Sequence, residues 1–182
     1  TKIFHNPQGF KLGDNQYSAD VFTKWSNSER EAIGIYAVTI DNTNKKNEKW
    51  YTNTNQTFTY DASAKTVTAT YGTATAKAHA DVTTDGVVTP GLKTELIRDL
   101  KKDVSRILSE TDWYITRNSE KSTAIPSNIT THRDAVRTKQ AEMETAITNA
   151  ADTAALETLY TYTEQEDGTA TRPLGELPEL ES

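Results

Sequence analysis

The sequence predicts an α+β protein: a small N-terminal antiparallel β-sheet domain, a C-terminal helical hairpin or three-helix module, and an extended acidic tail. Three observations predict it. Aromatic and β-branched residues alternate over short runs before residue 82, whereas apolar residues recur at three- and four-residue spacing after residue 91. Charge is displaced: residues 1–90 hold nine basic and nine acidic side chains, while residues 164–182 hold six acids against Arg172 alone. Pro173 and Pro178 interrupt that last stretch and forbid a regular helix through it. The expected division is a β-rich domain over 1–82, a linker over 83–90, a helical module over 91–165 and a tail over 166–182.

Residues 1–26 read as irregular, with a short strand at 2–5 and punctuation by Pro7, Gly9 and Gly13. Phe10, Leu12, Tyr17, Val21, Phe22 and Trp25 are the expected core anchors of this stretch. Ser26 or Ser28 is placed to cap one or two helical turns that stop at Gly34. Strands are expected over 35–40, 49–52, 56–61 and 65–71, joined by a polar turn at 41–47 and a turn at 61–64. Together they predict a small antiparallel meander with one thin apolar face, which needs a cover to be stable. Residues 73–82 fit strand or helix equally, and 83–88 reads as a linker containing the turn signal Asp85-Gly86.

Thr89 as N-cap and Pro90 at the first helical position open the first long helix. Leu92, Leu96, Ile97, Leu100, Val104, Ile107 and Leu108 form its apolar stripe, and Ser109-Glu110-Thr111-Asp112-Trp113 ends it. A polar loop is expected next. Pro126 holds Ile125 extended and sets the start of a second helix over 127–150, with Ile129, Val136, Met143 and Ile147 on one stripe. Asp152 caps a third helix reaching about residue 164, with Gly168 as its stop. In the tail, Leu174, Leu177 and Leu180 recur every third residue and are candidate docking positions, although the composition alone predicts disorder in solution.

The composition narrows the chemistry. The apolar fraction is 35% and mean hydropathy is −0.71, so small cores and self-association or symmetric assembly are expected. With no cysteine there is no disulfide and no thiolate site. No stretch approaches the roughly 18 apolar residues of a membrane span, so no membrane insertion is expected, and residues 1–5 hold no signal-like apolar core. A net charge of −6 argues against nucleic acid as a partner, because phosphate contacts need a basic face. His5, His79 and His132 have no metal-ligand spacing, and neither a Gly-x-Ser-x-Gly elbow nor a phosphate-cradling glycine loop occurs. No catalytic residue, metal or cofactor is therefore expected. Two glycosylation-type triplets, at 55–57 and 128–130, are what chance supplies in a chain rich in Asn and Thr.

One constellation stands out. Asp112 beside Trp113 is expected at a helix C-terminal turn, accepting backbone or arginine hydrogen bonds. Arg133 and Arg137 lie one turn apart on the second helix. They are either a clamp for a carboxylate, Asp112 included, or a solvated pair. Trp113 is either a plug in the hairpin core, the preferred expectation, or an exposed partner anchor.

The run Arg106-x-Leu108-Ser109-Glu110-Thr111-Asp112-Trp113, followed after a loop by Arg133-Asp134-Ala135-Val136-Arg137, resembles the phage tail assembly chaperone domain. That family carries a Thr-Asp-Trp signature at a helix end and a Tyr-Arg…Leu-Arg signature on a later helix. Here His132 stands for the Tyr, Val136 for the Leu, Ile129 for a Trp that often opens the second motif, and Thr138 for an acid after the last Arg. Trp25 ahead of Gly34-Ile35-Tyr36-Ala37-Val38 is also similar to leaders of related phage proteins. The resemblance covers roughly two thirds of the chain. It implies a non-enzymatic structural or adaptor protein of a bacteriophage tail or tail fibre, sited in the virion and, during assembly, in the host cytoplasm. Its partners would be other tail or tail-fibre proteins, met through Arg106, Thr111, Asp112, Trp113, Arg133 and Arg137. The alternative is an assembly chaperone absent from the mature particle, and a small virion hydrolase is the remote third.

Overall fold

A computed structural model describes residues 2–180. Glu181 and Ser182, the last residues of the expected tail, lie outside the described residues. Among the described residues the fold is mixed α+β, with small, mainly antiparallel sheets and six helices. It divides into two compact units: residues 1–46 with 53–75, and residues 47–52 with 76–182. The expected bounds are 1–82, 83–90 and 91–165; the two units divide at other places. The chain enters the second unit twice, first as the short excursion 47–52.

The first unit begins with a hairpin of β1 (Phe10–Leu12) and β2 (Asn15–Tyr17), with Phe10 opposite Tyr17. Gly13, at φ +59°, supplies the positive dihedral that a two-residue hairpin loop of this kind requires. The strand expected at 2–5 does not form. Two short helices follow, α1 (Asp20–Thr23) and α2 (Asn27–Ala32). Ser26 caps α2 in a reciprocal box with Glu29, and Gly34 at φ +80° ends the segment. Phe4, Phe10 and Phe22 meet at centroid distances of 5.0–5.6 Å. Phe10 and Val21 are buried, but Leu12, expected as an anchor, is 46% exposed.

The sheet of this unit runs in the order β3 (Val38–Asp41), β6 (Thr66–Tyr71), β5 (Gln56–Asp61). β5 and β6 form the expected antiparallel hairpin. Asp61 accepts from the backbone N–H groups of Ser63 and Ala64 in its turn. β3, however, lies parallel to β6, with Val38 opposite Val67. A meander is therefore not formed. Residues 42–52 do not reverse the chain onto β3; they carry Trp50 and Tyr51 into the other unit, where both are buried.

The second unit holds β4 (Tyr51–Thr52), which pairs with β7 (Thr75–Ala76); Lys77 N–H donates to the Trp50 carbonyl at 3.0 Å. The expected linker is instead a hairpin of β8 (Val82–Thr84) and β9 (Val87–Thr89) across Asp85 and Gly86, both at positive φ. This pair of dihedrals is what an Asp-Gly loop is suited to give. Because Thr89 is held in β9, the first long helix starts two residues later than expected: α3 is Leu92–Ser109 with Gly91 as N-cap. Its orphan N–H groups are satisfied from upstream. Leu92 and Lys93 donate to the carbonyls of Ala78 and His79 at 3.0 Å, and Gly91 donates to the Asp81 carboxylate at 2.8 Å. Those contacts bring Gly91 so near Ala80 that a Cβ would lie 2.3 Å from its backbone.

α4 (Asp112–Lys121) occupies the stretch expected as a loop. α5 (Ser127–Asn149) follows Pro126 as expected, and α6 (Thr153–Tyr160) is capped by Asp152, which accepts from Ala155 N–H. α6 stops before residue 164. Gly168 instead turns a hairpin of β10 (Thr163–Glu164) and β11 (Ala170–Thr171). Lys93 reaches the Thr148 carbonyl, Lys101 reaches Glu144 and Arg133 reaches Leu108, so α3 and α5 run antiparallel. Between them Leu92, Leu96, Leu100 and Val104 meet the buried stripe Ile129, Val136, Met143 and Ile147. Among the described residues no helix is long and apolar enough to cross a membrane.

Candidate functional site

The corner between α3 and α4 joins the two halves of the sequence constellation. α3 ends at Ser109, and Thr111, at φ −115° and ψ 5°, redirects the chain into α4. The Leu108 carbonyl, one of the unpaired acceptors of the α3 C-terminus, receives the Thr111 N–H at 3.2 Å and the Thr111 hydroxyl at 3.1 Å. Arg133, projecting from α5, completes the arrangement. One guanidinium nitrogen donates to Leu108 O at 2.7 Å and to Thr111 Oγ1 at 2.6 Å. The other stands 2.9 Å from an Asp112 carboxylate oxygen. A cation placed on the last carbonyls of a helix also opposes the negative end of its dipole.

The burial around this corner is uneven. Thr111 is 3% exposed and Arg133 is 7% exposed, whereas the Asp112 side chain is 59% exposed. Asp112 opens α4 rather than closing α3, which corrects its expected place. Trp113 is 52% exposed, which corrects the expectation of a core plug. Asp112 turns toward Arg133, and the next position on a helix points about 100° away. The buried place at the corner is already filled by Thr111 and the Arg133 stem. Outside, Trp113 packs on Tyr114 at 4.3 Å and under the Arg117 guanidinium at 5.5 Å, and Ile115 of the same helix is 41% exposed.

The remaining expected residues are not part of this corner. Arg137 is exposed and pairs with Asp134 at 3.6 Å, and Arg106 is exposed between Asp103 and Glu110 at 3.9 Å from each. In the tail, Leu174 is 3% exposed and its N–H donates to the Leu159 carbonyl at 3.1 Å. Leu177 is half-buried and Leu180 is 40% exposed. The start of the tail is thus packed, not loose, and the three leucines are not equivalent.

A cluster that the sequence reading did not assemble holds that tail. Arg172 lies over the rings of Tyr160 and Tyr162 at 5.3 and 5.2 Å, donates to Gly175 O, and pairs with Glu176 at 2.7 Å. Lys49 lies over Trp50 and Tyr160 at 4.7 and 4.3 Å. Burial, then the nearby Arg172 charge, pull the Lys49 ammonium below its ordinary value. Burial pushes the Tyr160 hydroxyl up. Trp50 and Tyr51 were recognisable as apolar strand residues, but their partners Tyr160 and Glu157 are more than 100 residues away. Between the tail and α3 lies a cavity of about 610 Å³ lined by Asp99, Asp103, Arg106, Glu110 and His132 among others. Among the described residues no group of three His, Asp or Glu side chains is arranged to hold a metal ion.

Compared with protein-family models, curated proteins and solved structures, the chain has no match.

Proposed function

We propose that this chain is a non-enzymatic bacteriophage tail protein, a tail- or tail-fibre-associated adaptor that docks onto other virion proteins through its helices. One observation carries the reading. Arg133 ties the Thr111-Asp112 corner to α5 and leaves Trp113 half in solvent, so these four of the residues that carry the resemblance form one built corner with an aromatic anchor on its outer side. An exposed Trp backed by Tyr114 and Arg117 has the composition of a binding hot spot. The Thr111-Asp112-Trp113 signature itself favours a second reading, an assembly chaperone that binds the same subunits and then leaves.

Mass spectrometry of purified particles tests the proposal. The adaptor is expected at stoichiometric copy number in the virion. Its absence from mature particles sinks the adaptor and leaves the chaperone. On either reading Trp113→Ala abolishes co-purification with tail or fibre subunits and costs the fold no more than about 2–3 kcal/mol, since half of the side chain is already solvated. A large loss of stability with partner capture intact would remove Trp113 as the anchor.

A further inference from the structure

The first unit contains a site that the tail-protein reading does not use. A cavity of about 730 Å³ opens between the aromatic cluster and the face of the sheet. Four large apolar side chains on its wall remain exposed: Ile3 at 38%, Leu12 at 46%, Val38 at 44% and Tyr60 at 46%. A contiguous exposed apolar surface of this kind marks an interaction site more often than it marks a monomer's ordinary exterior. β3 forms the edge of the sheet at this wall, so its outer backbone groups face away from β6.

The charges at the cavity are of one sign. Lys2, Lys11 and Arg30 line it, and none of the described lining residues is acidic. Glu31 and Asp61 act on the Tyr60 hydroxyl from outside that lining. Lys2 lies 5.0 Å over the Phe4 ring, and Arg30 is held by Asn27 and the Phe22 carbonyl. A chain of net charge −6 has therefore gathered three cations around one apolar recess. The occupant this recess fits is an extended segment with a bulky apolar side chain next to carboxylates.

The chain itself carries one. After Leu174 and Glu176, which are fixed on the helical unit, Glu179 and Leu180 border the cavity beside α3 and keep an outer side in solvent, Leu180 at 40% exposure, with Glu181 next in sequence; docking on a second copy exchanges that rim position for the recess. We propose that the cavity of the first unit receives the Glu179-Leu180 segment of a second copy of this chain: Leu180 fills the recess among Ile3, Leu12 and Val38, and Glu179 meets Lys2 and Lys11. The joint is heterologous, tail into recess, so one copy can both give and receive, and association continues past a dimer into rings or filaments. It stands whether or not the protein belongs to a phage tail.

Sedimentation velocity on the full chain tests this up to about 1 mM, the range in which so small a contact has to show itself. Wild type is expected to form species larger than a dimer as concentration rises, and to lose them in about 1 M salt, where the Debye length falls to about 3 Å. Leu180→Ser with Glu179→Gln, and separately Lys2→Glu with Lys11→Glu, each give monomers. All four sites are exposed, so the fold is retained, which far-UV circular dichroism checks. An equimolar mixture of the two variants restores one joint only and stops at a dimer. Wild type that stays monomeric at every concentration overturns the proposal. Oligomers that survive either variant, or a mixture that remains monomeric, overturn it as well.

Discussion

Replacing Arg133 by Met tests the corner most directly. The side chain is 7% exposed and gives three interactions: to Leu108 O at 2.7 Å, to Thr111 Oγ1 at 2.6 Å, and to Asp112 at 2.9 Å. Hydrogen bonds from a charged donor contribute about 1.5–3 kcal/mol. The two acceptors do not double that figure, because Leu108 O keeps the Thr111 N–H and hydroxyl. Asp112 is 59% exposed, so its pair with Arg133 is screened and contributes below about 1 kcal/mol. Met keeps most of the apolar stem contact. The expected loss is about 2–3 kcal/mol. Urea unfolding followed by far-UV ellipticity reads it, since every helix of eight residues or more lies in the second unit. A double-mutant cycle with Thr111→Val should return a coupling of about 1.5 kcal/mol or more, and one with Asp112→Asn a coupling below about 1 kcal/mol. The reasoning is refuted if the Asp112 coupling is the larger, or if Arg133→Met costs less than about 1 kcal/mol.

Three further outcomes follow from the same packing. Leu174→Ala empties a buried position against α6 and should cost about 2–4 kcal/mol, with residues 172–180 becoming the first site of limited proteolysis; unchanged cleavage would mean the tail is held elsewhere. Gly91→Ala drives a Cβ to 2.3 Å from the Ala80 backbone and should cost about 2–3 kcal/mol, read as a lowered urea midpoint of the helical unit. The Asp81 carboxylate is held below its ordinary 3.8 by the Thr94 hydroxyl and then the Gly91 N–H. Its folded value is depressed, so its contribution is present above the ordinary value and is lost as pH falls through the lowered one. Asp81→Asn should therefore lower stability at neutral pH and shrink the loss between neutral and acid; an unchanged pH profile would remove Asp81 from the α3 start.

What was legible in the sequence is what local pattern controls. α5 begins where Pro126 requires, α2 is capped at Ser26, and the β5–β6 hairpin follows its alternation. The apolar stripe of α3 is also local, and it is buried as its spacing implies. What was missed depends on distant partners. α4 is polar on most of its surface and carries no stripe, so nothing in its sequence outweighs the reading as a loop. The parallel placement of β3 depends on where residues 47–52 go, which is decided by Trp50 meeting Tyr160. Asp85-Gly86 was read as a turn, but a turn signal does not say that the flanking Val and Thr residues will pair. At the corner, the approach of Arg133 to Asp112 was one of two readings that the sequence left open. The position of Trp113 was not readable, because it depends on which neighbour already fills the buried place.

That position bears on what Arg133 does. A buried arginine is a poor device for stability, since a well-packed apolar residue often replaces a buried ion pair at no cost. Here the charge is only partly paired: its carboxylate partner is exposed, while its strongest contacts are a carbonyl and a hydroxyl at the end of α3. Those contacts have direction, and apolar packing does not. They fix where α3 stops and the angle at which α4 leaves, and so they fix the side on which Trp113, Tyr114 and Arg117 are presented. In the Thr111→Val, Arg133→Met double variant, stability should be no lower than in Arg133→Met alone, because the two share one interaction, while the defined exit of α4 is lost. Stability and partner capture then separate: a double variant that folds yet no longer binds identifies the corner as an orienting device, and one that binds normally shows that α4 is directed by its own packing.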